Sequence, residues 1–134
     1  MRPVLVDSNV ILDVATQNPV WYAWSSERIS RIADTGLLVI NPIIYAEVSV
    51  RFASVEELEP VLPPLVFRRE PIPYEAAFLA GKAFRTYRKR GGQRSSPLPD
   101  FFIGAHAAVA RYRLLTRDAS RYRTYFPTVE IIAP

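Results

Sequence analysis

Val4-Leu5-Val6 is an unbroken apolar run that stops at Asp7, the pattern of a buried strand whose end meets a polar edge. Ser8 and Asn9 suit the start of a helix carrying Val10, Ile11 and Val14. A second helix is expected over 20–35, closed by Gly36. Residues 37–40, LLVI, read as another buried strand, and Asn41-Pro42 supplies an N-cap and a first-turn proline for the helix that holds Glu47. Glu56, Glu57 and Glu59 fall in a short acidic helix or loop, broken by Pro60, Pro63 and Pro64. Residues 75–90 form an amphipathic helix with Ala76, Ala80, Ala83, Phe84 and Tyr87 on one side and Lys82, Arg85 and Lys89 opposite. After Gly91-Gly92 and a polar loop, a helix apolar on nearly every side begins at Asp100. A strand near Leu114-Leu115-Thr116, an aromatic and basic turn at 119–126 and a last strand at 129–132 complete the pattern. Strands alternating with helices predict an α/β fold with a mostly parallel sheet, in one domain over residues 1–134.

Composition narrows the classes. The chain is 49% hydrophobic, enough to fill a core at 134 residues. It has no cysteine, which excludes disulfides and thiolate metal sites. Asp7 arrives before any leader-like apolar run develops, and FFIGAHAAVA is too short to span a bilayer. A cytoplasmic protein without a membrane partner is expected. The net charge of +4 favours a polyanionic partner such as nucleic acid. Lys82 and Lys89 are the only lysines and the other basic residues are arginine, whose forked guanidinium suits phosphate. A GC-rich coding sequence produces the same bias.

Four carboxylates then stand out. Ligands of open parallel sheets bind beyond the carboxyl ends of the strands. Asp7 and Asp118 follow strands, Glu47 lies in the helix after the second strand, and Asp100 starts the helix that leads to a later one. Each has a plainer role open to it. Asp7, Asp100 and Asp118 sit at helix starts, where a cap is worth ~1 kcal/mol. Glu47 stands four residues before Arg51, a pairing worth ~0.3 kcal/mol. Glu47 also shares a stripe with Ile43, Ile44 and Val50, which aims it inward. Converging carboxylates repel by about 4 kcal/mol per pair at ~4 Å and an effective dielectric of ~20, so they take up protons or bind a cation. With oxygen donors alone, the ion is Mg²⁺ or Mn²⁺, and the chemistry is phosphodiester hydrolysis. His106 falls about 240° round the helix from Asp100 at 3.6 residues per turn, away from such a site.

The ordered set D-S-N, the inward glutamate at 47, LPDFFIGAHA and T-R-D resembles a PIN domain, nearest to the VapC-type toxins of bacterial toxin–antitoxin pairs. The resemblance implies an α/β/α architecture with a five-stranded, mostly parallel sheet and a Mg²⁺- or Mn²⁺-dependent endoribonuclease. It assigns Asp7, Glu47, Asp100 and Asp118 to catalysis. Asp7 and Asp100 would be principal metal ligands, Asp118 would assist directly or through water, and Glu47 would orient or deprotonate the attacking water. Ser8, Asn9 and Thr116 match the supporting polar positions. It further implies an RNA substrate, a homodimer and a cognate antitoxin. RNA would follow Arg85, Arg88, Lys89, Arg90 and Arg94, although a solvated helix face has the same composition. Arg121-Tyr122-Arg123-Tyr125 either stacks bases or packs the C-terminus. The rivals are a metal-dependent DNA nuclease or phosphoesterase and a non-catalytic RNA- or partner-binding module.

Overall fold

In the computed structural model, which describes residues 2–134, β1 (Val4–Val6) is the middle strand of a five-stranded parallel sheet. Val4, Leu5 and Val6 are all fully buried. Successive strand side chains point to opposite faces, so both faces of the sheet are covered. The chain runs through α1 (Ser8–Ala15), α2 (Tyr22–Thr35), β2 (Leu38–Ile40), α3 (Pro42–Ser49), α4 (Val55–Leu58), a 3₁₀ turn (Glu59–Val61) and β3 (Phe67–Arg69). It continues through α5 (Tyr74–Lys89), α6 (Pro99–Ala110), β4 (Arg113–Leu115), α7 (Ser120–Tyr125) and β5 (Ile131–Ile132). Strand order is β3-β2-β1-β4-β5, with Val4 opposite both Leu38 and Arg113.

That order fixes where chemistry can sit. From β1 the chain builds outward through β2 to β3, then crosses by α5 and α6 to β4 on the other side of β1. The direction reverses between β1 and β4, and there the loops leaving the strands diverge to open a crevice. Asp7 follows β1 directly, and Thr116 to Asp118 follow β4. The Asp7 N–H donates to Leu115 O at 2.9 Å, binding the two exits together.

Several details depart from the sequence reading, each for a local reason. β3 was not evident from the pattern because only Phe67 of its three residues is buried while Arg68 and Arg69 are exposed at the sheet edge. The helix holding Glu47 stops at Ser49, and Val50, expected to face inward, is 82% exposed. Arg51 forms no ion pair with Glu47 among the described residues. Asp100 is not a cap: Leu98 holds that position, and Asp100 lies inside the first turn after Pro99.

His106 is a core residue, 1% exposed. Asn41 caps α3 by accepting from Ile44 N–H at 2.9 Å, which leaves its amide N–H to donate to His106 Nδ1 at 3.0 Å. The imidazole proton therefore sits on Nε2, 3.7 Å from Glu70. Burial holds the His106 pKa down against the pull of Glu70. This neutral link fastens the middle of α6 to the start of α3, the two helices that carry Asp100 and Glu47. Gly104 completes the seating of α6, because a Cβ there would meet the Phe126 ring at 2.3 Å.

Candidate active site

Asp7 is the N-cap of α1 and only 4% exposed. Its Oδ1 accepts from Ser8 N–H at 2.8 Å. Its Oδ2 accepts from the Thr116 and Tyr122 hydroxyls, each at 2.9 Å. Ser8 Oγ donates to Glu47 Oε1 at 2.9 Å, so one small side chain joins the first acidic residue to the second. The Tyr122 oxygen is 3.3 Å from Asp100 Oδ1 as well, standing between Asp7 and Asp100. Asp118 is exposed in the β4–α7 turn. Its N–H donates to Thr116 Oγ1 at 3.2 Å and its Oδ1 accepts from Ser120 Oγ at 3.3 Å.

Ser8, Asn9 and Thr116 form the linking layer. Asn9 Nδ2 donates to Thr116 Oγ1 at 3.4 Å, and Asn9 Oδ1 accepts from Arg117 N–H at 3.2 Å. Burial raises the pKa of Asp7, Glu47 and Asp100. Neighbouring carboxylates raise each one further: Asp100 acts on Asp7, both act on Glu47, and Asp118 acts on Asp100. The four groups therefore share one field at the crevice. Among the described residues no three of them close around a single ion position; each is tied to a hydroxyl or a guanidinium instead. The donor set is all oxygen, two members are short aspartates bridged by one tyrosine, and no lysine enters it. That chemistry fits a hard divalent cation.

Tyr122 is the site residue that the sequence did not disclose. It is 1% exposed, so it cannot stack a base. Burial and the charges of Asp7, Asp100 and Glu47 push its pKa well up, keeping the hydroxyl a neutral donor. Its place four residues after Asp118, in the first turn of α7, was the available signal. Arg121, beside it, reaches Asp100 Oδ2 at 3.4 Å. The expected RNA-contacting residues Arg85, Arg88, Lys89, Arg90 and Arg94 are all exposed. Tyr87, on the other face of α5, packs on Phe101 of α6 with ring centroids 5.5 Å apart. Arg88 Nη1 donates to the carbonyls of Gly92 and Arg94, bracing the loop before α6. A separate pocket of about 410 Å³ opens by β2 and β3 among Ile40, Pro42, Tyr45 and Pro71, and none of the four acidic residues lines it.

A PIN-domain family model matches residues 4–127. The chain belongs to the PIN-domain family. None of the curated proteins compared matches it. Among solved structures, a chain of VapBC2 from Rickettsia felis, bound to a DNA fragment from their promoter, superposes with TM-score 0.75 at 14% identity, covering 98% of each chain. VapBC-1 from nontypeable Haemophilus influenzae gives 0.73 at 19% identity over 98% of this chain and 97% of that one. A toxin–antitoxin complex from Klebsiella pneumoniae gives 0.71 at 18% identity, covering 96% and 95%. At these identities the likeness is one of fold, and this PIN domain shares it over nearly its whole length.

The raised carboxylate pKa values carry a stability consequence. A group whose acid form is favoured by folding adds stability below its ordinary pKa and loses it as pH rises through the raised value. Near neutrality the ionised cluster therefore weakens the metal-free fold. Asp100→Asn is expected to unfold at higher temperature than the parent at pH 7, a gain of about 0.5–2 kcal/mol. The gain should fade below about pH 3, where the carboxylate is protonated in both states. The half-exposed Arg121 pair, worth ~0–1 kcal/mol, opposes it. Thermal melts at both pH values decide, and a variant less stable than the parent at pH 7 would refute the expected gain.

Proposed function

We propose that this PIN domain is the toxin of a type II toxin–antitoxin pair of the VapC kind, an endoribonuclease dependent on Mg²⁺ or Mn²⁺. The observation that supports the proposal is the linkage of Asp7, Glu47 and Asp100 through Ser8 and Tyr122 beside the switch point between β1 and β4, with the Asp118 charge acting on Asp100. Asp7 and Asp100 would hold the ion, with Asp118 assisting directly or through water. A bound divalent ion would supply charge neutralisation at the phosphate and acidify water. Ser8, Asn9 and Thr116 fix the carboxylates, and Tyr122 keeps a neutral hydrogen bond on Asp7. Glu47, anchored by Ser8, orients the attacking water and takes its proton. Displacement in line leaves 5′-phosphate and 3′-hydroxyl ends, and no side chain forms a bond to the RNA.

The exposed cations of α5 and the loop after it draw the RNA backbone. The fold likeness to chains of toxin–antitoxin complexes supports an antitoxin partner. Tyr74 and Phe78, one turn apart on α5, are 91% and 69% exposed, suited to burial against another chain, an antitoxin or a second copy. No described helix is long and apolar enough to cross a membrane.

The decisive test incubates the purified chain with single-stranded RNA and, separately, DNA, with Mg²⁺, with Mn²⁺ and with a chelator. RNA cleavage that stops on chelation and resumes on adding either ion is the expected result. Equal cleavage of DNA would favour the general nuclease. Binding without cleavage under every condition would leave only the binding module.

A further inference from the structure

Beside the acidic cluster, a shallow pocket of about 220 Å³ opens between the end of α5 and α7. Tyr87, Ser120, Arg121, Thr124 and Tyr125 line it. Two of these residues also touch the carboxylates. Ser120 Oγ donates to Asp118 Oδ1, and Arg121 Nη1 reaches Asp100 Oδ2. A ligand in the pocket therefore lies one side chain away from two of the acidic residues.

The walls are specific in chemistry. Tyr87 and Tyr125 meet edge to face with centroids 6.3 Å apart, and Phe101 packs behind both. The Arg121 guanidinium lies 5.9 Å from the Tyr87 and Phe101 ring centroids, so aromatic faces hold it in place. Asp100 is its one hydrogen-bond partner among the described residues, which leaves the rest of its donors available. Its side chain is 38% exposed, so those donors can meet a ligand. The volume is below the roughly 300–1,000 Å³ of pockets for drug-sized ligands and suits a single ring system. Aromatic and guanidinium planes with a few hydroxyls at the rim are the usual platform for an unpaired base.

We infer that this pocket is a nucleotide subsite: it takes the unpaired base flanking the cleaved bond, while Arg121 grips the adjoining phosphate beside Asp100. The nuclease reading of the acidic cluster supplies the ligand class. The subsite goes further by assigning base contact to Tyr87 at the end of α5 and Tyr125 on α7, and phosphate contact to Arg121, with Arg90 at the C-cap of α5 lying 5.5 Å from the Tyr125 ring centroid. Single-stranded RNA fits because a base held in a duplex is not free to enter.

Nuclear magnetic resonance titration of the full chain with nucleoside 5′-monophosphates, and with inorganic phosphate alone, tests this. Nucleotides should shift the amides of Tyr87 and of residues 120–125. Phosphate alone should bind there more weakly, having no base to stack. Arg121→Gln should weaken nucleotide binding by about tenfold or more. Tyr125→Phe should keep it, whereas Tyr125→Leu should weaken it by about tenfold. Nucleotide shifts confined to α5 or to the pocket by β2 and β3, or an unchanged affinity in Arg121→Gln, would overturn the subsite. Cleavage assays separate the two readings: a chain that cuts RNA without these shifts loses the subsite and keeps the nuclease. One that shows the shifts but cuts nothing keeps the subsite and loses the nuclease.

Discussion

Asp7→Asn is expected to lower RNA cleavage by about a thousandfold or more, equivalent to roughly 4 kcal/mol of transition-state stabilisation. The side chain keeps its shape but loses the charge that a divalent ion needs. Its new amide also faces one of the donors, Ser8 N–H, Thr116 Oγ or Tyr122 Oη, that the carboxylate accepted from. RNA affinity should change far less, because the exposed cations of α5 are untouched. Initial rates on end-labelled RNA, with binding measured in parallel, read both effects. Induced expression of the variant should no longer arrest growth. A variant that retains a tenth or more of the parent's rate would remove Asp7 from the reaction.

The parts of the fold that were legible in the sequence were those where burial is continuous. β1 and β2 are short, lie inside the sheet and are buried throughout, so each writes an apolar run, and β4 writes one at Leu114-Leu115 after a partly buried Arg113. β3 lies at the edge with two exposed arginines, and nothing in Phe67-Arg68-Arg69 distinguishes it from a loop. The five-strand count came from the family resemblance, not from periodicity. The site was legible to a similar depth. Asp7, Glu47, Asp100 and Asp118 were visible as carboxylates at strand exits or in nearly apolar helices. Their linkage was not, because Ser8–Glu47 and Tyr122–Asp7 join residues 39 and 115 positions apart. Tyr122 reads as one more aromatic in a basic run until the fold turns it inward. Arg117 shows the same limit, since T-R-D drew attention to its outer two residues while the middle one binds a partner 104 positions away.

Arg117→Ala is expected to destabilise this PIN domain by about 3–5 kcal/mol. Asp13, on α1, is 1% exposed. It accepts from Arg117 Nε at 2.9 Å and Nη2 at 3.0 Å, and from Ser25 Oγ at 2.8 Å. Arg117 also lies over Trp21, 5.5 Å from the ring centroid. The pair thus ties α1 and α2 to the turn that carries Asp118. Removing Arg117 strands a buried carboxylate with one neutral donor, and the uncompensated charge accounts for the size of the effect. Against a total stability of about 5–15 kcal/mol for such a domain, the melting temperature should fall by on the order of 10 °C or more. Denaturant titration gives the free energy directly. The double variant Asp13→Leu with Arg117→Met should recover much of the loss, since it removes both charges and keeps apolar volume. A single variant costing less than about 1 kcal/mol would mean that water reaches Asp13 once the guanidinium is gone. Cleavage should fall in both variants for a different reason: the turn after β4 loses its tether, and Asp118 with it.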